Sequence, residues 1–377
     1  MRILIGSLTY PLLNGVTTSI NLSIDGLTER SHQVVVIGPE YNLGTVRPEH
    51  QTVPSSWVGR LLLKSLHKKE RLFGWSGLAA IREIAAEFQP DIYWLHSLTW
   101  SSNAFERAML GSQAKKVLTY HTLVEDYGRI YGGKIGATIM RQRSKIVANR
   151  VNAVIAPSQV IAQRLKSYGV TSPIFVIPTG ITVPKNQYTK SELAARWRFN
   201  PDWPILLYVG RVSAEKNIQA LLEMTKQLNQ TKKHMLLLVG PGDILGVEKQ
   251  AAALGIAPEV ICSGPLPKED AQRTYGAADV FVFASKTETQ GLVIGEAMMA
   301  GLPVVALQSP IQPEVYPTSS AIVVESVDQF ASSVQEILTD PQRRKILTAN
   351  AKQFVEENFS VQGMTAKQIE LFEKLIA

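Results

Sequence analysis

Two glutamates stand eight positions apart in the stretch ASKTETQGLVIGEAMMAGLPVVA, Glu288 and Glu296, between one apolar run and a second that begins after Gly301. Carboxylates accept hydroxyl hydrogen bonds well, so the vicinal diols of a sugar and of a ribose are natural partners. A glutamate at a helix start also complements the helix dipole, which accounts equally for Glu296 but not for Glu288, placed before the helix. The amides of Gly291, Leu292 and Val293 open that helix as donors able to hold phosphate. Earlier, YVGRVSAEKN sets Arg211 and Lys216 around another turn into a helix. A guanidinium fork and an ammonium point charge suit a diphosphate, although two solvated surface cations would read the same way. In TYHTLVEDYG, His121 ends an apolar run, where it can donate to a ligand hydroxyl, stabilise developing charge or be structural. Glu125 and Asp126 beside it suit acid–base work or a solvated loop. GSLTYPLLNGVTT carries Gly6, Asn14 and Gly15, with Thr17 and Thr18 suited to cap the next helix. Glycine there lets backbone approach an anion or sugar, or simply makes a turn. The loop is not the G-x-G-x-x-G dinucleotide fingerprint.

Such residues act together only if the elements between them place them at one end of a sheet. RILIG, QVVVIG, DIYWLH, KKVLTYH, VNAVIAPS and IFVIPTG are strand candidates in the first half, and PILLYVG, HMLLLVG, EVICSG, DVFVFAS and LPVVAL in the second. Near-continuous apolar strands separated by helical patterns, the first with Ile20, Ile24 and Leu27 on one face, predict buried parallel sheets with right-handed crossovers. The fold class is α/β: two tandem Rossmann-like doubly wound domains facing a cleft. Residues 1–182 form the first, 183–355 the second, and 356–377 a tail helix. The boundary falls in ITVPKNQYTKSELAARWRFNPDWP, and the tail is broken near Phe359–Gly363. Ligands of such sheets bind beyond the carboxyl ends of the strands, where the candidates lie.

With 377 residues, 45% hydrophobic and 19% charged, the chain reads as a folded two-domain protein. The single cysteine, Cys262, permits no internal disulfide and favours a reducing compartment. The opening RILIGSLTY is too short for a signal peptide, and no apolar run of about 18 residues occurs, so a cytoplasmic location without a membrane span is expected. Charge is uneven: residues 1–182 hold 20 Lys and Arg against 11 Asp and Glu, or +9, and the rest hold 19 against 21, or −2. An anionic partner for the first half follows. GRLLLKSLHKKERLFGW, residues 59–75, would set Arg60, Lys64, His67, Lys68 and Arg71 on one helical stripe, with Lys69 adjoining, beside Leu62, Leu66 and Phe73. That is the pattern of a helix lying on an anionic bilayer, or else a solvated helix face. Residues 128–150 carry Arg129, Lys134, Arg141, Arg143, Lys145 and Arg150 with no acid, open to the same two readings. Neither stretch has the aromatic platform or groove-reading motif expected for nucleic acid.

GRVSAEKN and TETQGLVIGEAMMAGLPVV together resemble the donor site of retaining glycosyltransferases with the GT-B fold, specifically the GT4 family, whose Glu–seven residues–Glu motif is Glu288 to Glu296 here. YPLLNGVTTSI resembles the family's N-terminal Gly loop and TYHT its His strand, so the resemblance covers nearly the whole chain. It implies that Arg211 and Lys216 hold the donor diphosphate and stabilise it as leaving group. Glu296 would bind the ribose hydroxyls, Glu288 the 3- and 4-hydroxyls of the sugar, His121 its 6-hydroxyl, and Gly15 would let the first domain close on the phosphates. It further implies same-face attack with retention, no cofactor beyond the nucleotide sugar, and no metal, in keeping with the lack of an Asp-x-Asp pair. The tail would cross back onto the first domain. Glu288-Thr289-Gln290-Gly291 departs from the commoner Glu-Gly-Phe-Gly, and SKTETQGL with TYHTLVEDYG most resembles the branch that glycosylates diacylglycerol. The expectation is a peripheral enzyme at the cytoplasmic face of a membrane, moving glucose from UDP-glucose to diacylglycerol. A soluble or polymeric saccharide acceptor, a sugar-nucleotide epimerase of the same fold, and a non-catalytic nucleotide-sugar or scaffold protein are the alternatives. Nothing in the sequence sets an oligomeric state.

Overall fold

A computed structural model of the chain describes residues 1–12, 14–41, 47–53, 75–96, 98, 103–121, 123–285 and 287–377. They divide into two units, Met1–Gly180 with Val361–Ala377, and Ile181–Ser360. In the first, β1 (Arg2–Gly6), β2 (Gln33–Pro39), β3 (His50–Val53), β4 (Ile92–Leu95), β5 (Lys115–Thr119), β6 (Ala153–Ala156) and β7 (Ile174–Val176) form a parallel sheet ordered β3-β2-β1-β4-β5-β6-β7. In the second, β8 (Ile205–Val209), β9 (Met235–Val239), β10 (Val260–Gly264), β11 (Val280–Phe283), β12 (Val304–Leu307) and β13 (Ile322–Val324) follow the order β10-β9-β8-β11-β12-β13. The two orders reverse between β1 and β4, and between β8 and β11. At such reversals neighbouring loops diverge and leave a crevice, so the loops after these four strands are where ligands are expected.

The continuous apolar runs follow from burial on both faces. In β1, Leu4 faces one core cluster with Phe105, Leu118 and Val154. Ile3 and Ile5 face the other, with Ile20, Ile24 and Leu27 of helix Gly15–Glu29 and with Met364, Leu371 and Phe372 of helix Val361–Ile376. Full burial of each such side chain contributes about 1.5–3 kcal/mol before entropy. Helices Gly15–Glu29 and Val361–Ile376 approach so closely that a Cβ at Gly26 would stand 2.1 Å from Thr365 Oγ1. The tail breaks between helix Pro341–Asn358 and helix Val361–Ile376.

Every strand expected from sequence is present. β3 and β13 are additional; both are short edge strands, and β3 is half exposed, so their sequences lack a long apolar run. The inter-domain stretch also holds an unexpected helix, Lys190–Trp197, started by a capping box in which Thr189 and Glu192 bond each other's backbone amides.

Candidate functional site

In the second unit β8 ends at Val209, and the chain leaves through Gly210 at φ 148°. The Gly210 amide donates to Val239 O and the Val212 amide to Pro241 O, which binds this loop to the one after β9. Arg211 is held between these bonds, with its carbonyl accepting from the buried Tyr208 hydroxyl at 2.9 Å. Its guanidinium stands 3.8 Å from Glu215. Lys216 ends a short 3-10 turn, Ala214–Lys216, and Asn217 at φ 55° redirects the chain into helix Ile218–Leu228. Burial works to raise the Glu215 carboxyl, but hydrogen bonds from its own amide and Ser213, with Arg211 and Lys216 nearby, leave it lowered overall.

The loop after β11 brings Glu288 to the same place. Lys216 Nζ lies 2.6 Å from Glu288 Oε1, with the two side chains only 14% and 16% exposed. Gly291 then turns at φ 67° and helix Leu292–Met299 begins, with no acid in its first turn and, among the described residues, no side-chain cap at Gly291. Leu292 and Val293 supply those first-turn amides. Glu296 sits beyond the first turn, which weakens dipole complementarity as its explanation. It is buried, Oε1 accepting from Gln272 Nε2 at 2.7 Å and Oε2 from the Tyr275 hydroxyl at 3.0 Å. Burial raises its carboxyl above the ordinary range, and the Gln272 and Tyr275 hydrogen bonds restrain that rise. The Arg–Lys segment and the Glu–Glu segment, far apart in sequence, therefore converge at the reversal between β8 and β11.

The first unit places His121 two residues beyond β5 and His96 one residue beyond β4. His96 Nδ1 and His121 Nε2 are 2.9 Å apart. Burial lowers both imidazoles, His121 to about 4, so both are neutral near pH 7. Gly15 is the exposed first residue of helix Gly15–Glu29. The cap is Asn14, whose Oδ1 accepts from the Thr17 amide at 2.9 Å. Thr17 and Thr18 are not the cap: their hydroxyls turn back to Thr9 O and Asn14 O.

Sequence reading missed His96, Tyr208, Gln272, Tyr275 and Ser285, whose hydroxyl, at the start of the Glu288 loop, is buried without a hydrogen-bond partner among the described residues. Only His96 carried a signal, a second histidine closing the neighbouring strand. Glu125 bonds Arg129 at 3.2 Å and the Tyr168 hydroxyl at 2.5 Å, as a structural residue does.

Arg60, Lys64, Lys68, Lys69 and Arg71 lie outside the described residues. The other basic stretch falls on helix Val124–Ala148, kinked at Gly133 with φ 59° and ψ −147°. Gly128 and Gly136 touch across the kink, and a Cβ at Gly128 would come 2.5 Å from Gly136 O. Its cations are partly neutralised by acids outside the stretch: Arg129 by Glu125, and Arg143 and Arg150 by the buried Glu106. Its solvent face is apolar as well as basic, with Ile135 76%, Ile139 43% and Ile146 46% exposed. Among the described residues no helix is long and apolar enough to cross a membrane.

The family model for Glycosyltransferase Family 4 matches residues 13–183, and that for Glycosyl transferases group 1 matches 189–354. An alpha-monoglucosyldiacylglycerol synthase of Streptococcus pneumoniae is 31% identical, over 82% of this chain and 72% of that one. The chain is a family 4 glycosyltransferase. A GDP-mannose-dependent monoacylated alpha-(1-6)-phosphatidylinositol monomannoside mannosyltransferase of Corynebacterium glutamicum is 26% identical, over 74% of this chain and 76% of that one. The HepE protein of Anabaena, in a crystal structure with UDP-glucose, superposes with a TM-score of 0.79 at 17% identity, covering 100% of both chains. That likeness shows the shared α/β two-domain fold, GT-B. Family membership places the Lys216–Glu288 pair and the Gly291 turn in a glycosyltransferase.

Proposed function

We propose that this glycosyltransferase moves glucose from UDP-glucose to diacylglycerol at an anionic membrane surface, retaining anomeric configuration and using no metal. The observation that carries this reading is the 2.6 Å contact between Lys216 and Glu288 beside the uncapped turn at Gly291. A cation, a carboxylate and helix amides at one sheet reversal match the parts of a nucleotide sugar: diphosphate for Lys216, Arg211 and the amides of Gly291, Leu292 and Val293, and sugar hydroxyls for Glu288. Glu296 holds the ribose hydroxyls through the lone pairs that Gln272 and Tyr275 leave unused. From the first unit, His121 serves the sugar's 6-hydroxyl and Gly15 gives backbone access to the phosphates. Catalysis rests on positioning and on charge stabilisation of the departing diphosphate, whose oxygen takes the acceptor's proton.

Glucose and a diacylglycerol acceptor are supported by the streptococcal relative, and UDP-glucose by the Anabaena neighbour. Mannosyl transfer from GDP-mannose is the competing donor reading, from the corynebacterial relative. The apolar and basic face of helix Val124–Ala148, with Ile135, Ile139 and Lys134, supports peripheral membrane attachment. Incubation with UDP-glucose or GDP-mannose and diacylglycerol in anionic vesicles, read by mass spectrometry, tests the proposal. Glucosyldiacylglycerol is expected; transfer only to a soluble saccharide, or only from GDP-mannose, would refute it.

A further inference from the structure

His96 and His121 lie with ring planes 26° apart and centroids separated by 5.0 Å. The 2.9 Å between His96 Nδ1 and His121 Nε2, extended by the short distance from each nitrogen to its own ring centre, accounts for essentially all of that 5.0 Å, so both nitrogens lie close to the line joining the ring centres. The contact is an in-plane hydrogen bond and not a face-to-face stack. Trp94 rests against His96 with centroids 4.3 Å apart, and its indole N–H is committed to Thr119 Oγ1 at 2.7 Å, so the His96 ring is held from the side.

Two neutral rings share one proton across this contact, and its owner fixes both tautomers. Among the described residues His96 Nε2 is enclosed and meets no partner. If His121 donated, His96 would have to carry its own proton on Nε2, as a buried N–H with no receiver among the described residues. Buried orphan N–H groups are rarer in proteins than under-satisfied acceptors. With His96 donating from Nδ1, its Nε2 is only a bare lone pair.

We propose that His96 is a positioning residue that donates from Nδ1 and locks His121 as the tautomer protonated on Nδ1. His121 then presents a donor rather than a lone pair at its other nitrogen. A donor attracts a sugar hydroxyl oxygen or a developing negative charge, whereas a lone pair would repel them. This deepens, and rests on, the reading of His121 as a residue that serves the donor sugar.

Long-range proton–nitrogen NMR of the ligand-free full chain reads the tautomer without substrate. The expected wild-type signature is a protonated Nδ1 and a bare Nε2 on His121. His96→Gln, whose carboxamide still donates, should keep that signature and most of the activity. His96→Ala should shift the proton to Nε2 and lower kcat/KM about tenfold or more. A wild-type His121 protonated on Nε2, or a tautomer unmoved in His96→Ala, overturns the proposal whatever the transfer assay gives. A wild type that transfers no sugar but keeps the expected tautomer would instead discredit the functional reading alone.

Discussion

At and next to the reversal of the first sheet the polar groups are neutral: His96 after β4, joined by one hydrogen bond at 2.9 Å to His121 after the adjoining β5, and the Asn14 amide capping a helix. At the reversal of the second they are charged and paired with each other, Lys216 with Glu288 at 2.6 Å and Arg211 with Glu215 at 3.8 Å. The same winding thus carries two chemistries. A half-buried charge without a partner pays a large desolvation penalty, so Lys216 and Glu288 satisfy one another until a ligand replaces both. A ligand offering an anion and hydroxyls together does this; one offering only an anion leaves Glu288 unpaired. Neutral imidazoles carry no such penalty and can stay oriented in the empty protein.

The largest effect is expected from breaking the charged pair. Lys216→Ala removes the cation for the diphosphate and leaves Glu288 without its partner, and transfer should fall about 10²–10³-fold. Glu288→Ala should fall comparably, and the double variant should lose less than the two losses added, by about 0.5–3 kcal/mol of coupling. Additive losses measured by steady-state kinetics would show that the contact has no energetic weight. Binding of UDP-glucose over UDP should also narrow in Glu288→Ala, as read by calorimetry.

A second test concerns the first unit's surface. Ile135→Glu with Ile139→Glu should reduce sedimentation with anionic vesicles roughly 15- to 200-fold, the equivalent of two to four methylenes withdrawn from the interface at about 0.8 kcal/mol each. Folding should be unchanged, since Ile135 is 76% exposed. Undiminished vesicle binding would move the attachment elsewhere on the chain.

The third asks whether the units can be perturbed separately. Gly26→Ala drives a methyl against Thr365 Oγ1, and overpacking of this kind costs about 1–3 kcal/mol. The unfolding midpoint should drop while UDP affinity, assigned to the second unit, stays within twofold of wild type. A parallel loss of both would show the units to be coupled.

The core strands were legible because burial on both faces leaves an unbroken apolar run, as in RILIG and PILLYVG. Edge strands were not, since HQTV and IVV have few such residues to display. TKSE in the inter-domain stretch held a readable capping box that its Pro, Lys and Asn neighbours obscured. In the site, Glu288 and Lys216 could be singled out separately, but their contact at 2.6 Å depends on adjacency of β8 and β11, which spacing does not encode. Tyr275 and Gln272 were invisible for the same reason: their role is to satisfy a carboxylate from a different segment. The basic stretch 128–150 misled in one respect, because Glu106 and Glu125, which neutralise three of its arginines, both lie outside it.

The smallest effect concerns Glu296 and is read through pH. Burial raises the Glu296 carboxyl in the folded protein, whereas an unfolded chain titrates in the ordinary glutamate range. Between those two values the folded protein holds a proton that the unfolded chain has released, so stability falls as pH rises through that window. Each unit of separation amounts to about 1.4 kcal/mol. Glu296→Gln cannot titrate there and lacks this slope. The wild type should therefore gain on the variant in urea midpoint as pH is lowered from 7 towards the ordinary glutamate value. UDP binding should weaken over the same range, because a protonated carboxyl accepts fewer ribose hydrogen bonds. Parallel stability profiles for the two proteins would mean that Gln272 and Tyr275, by donating to both carboxylate oxygens, cancel the burial penalty entirely.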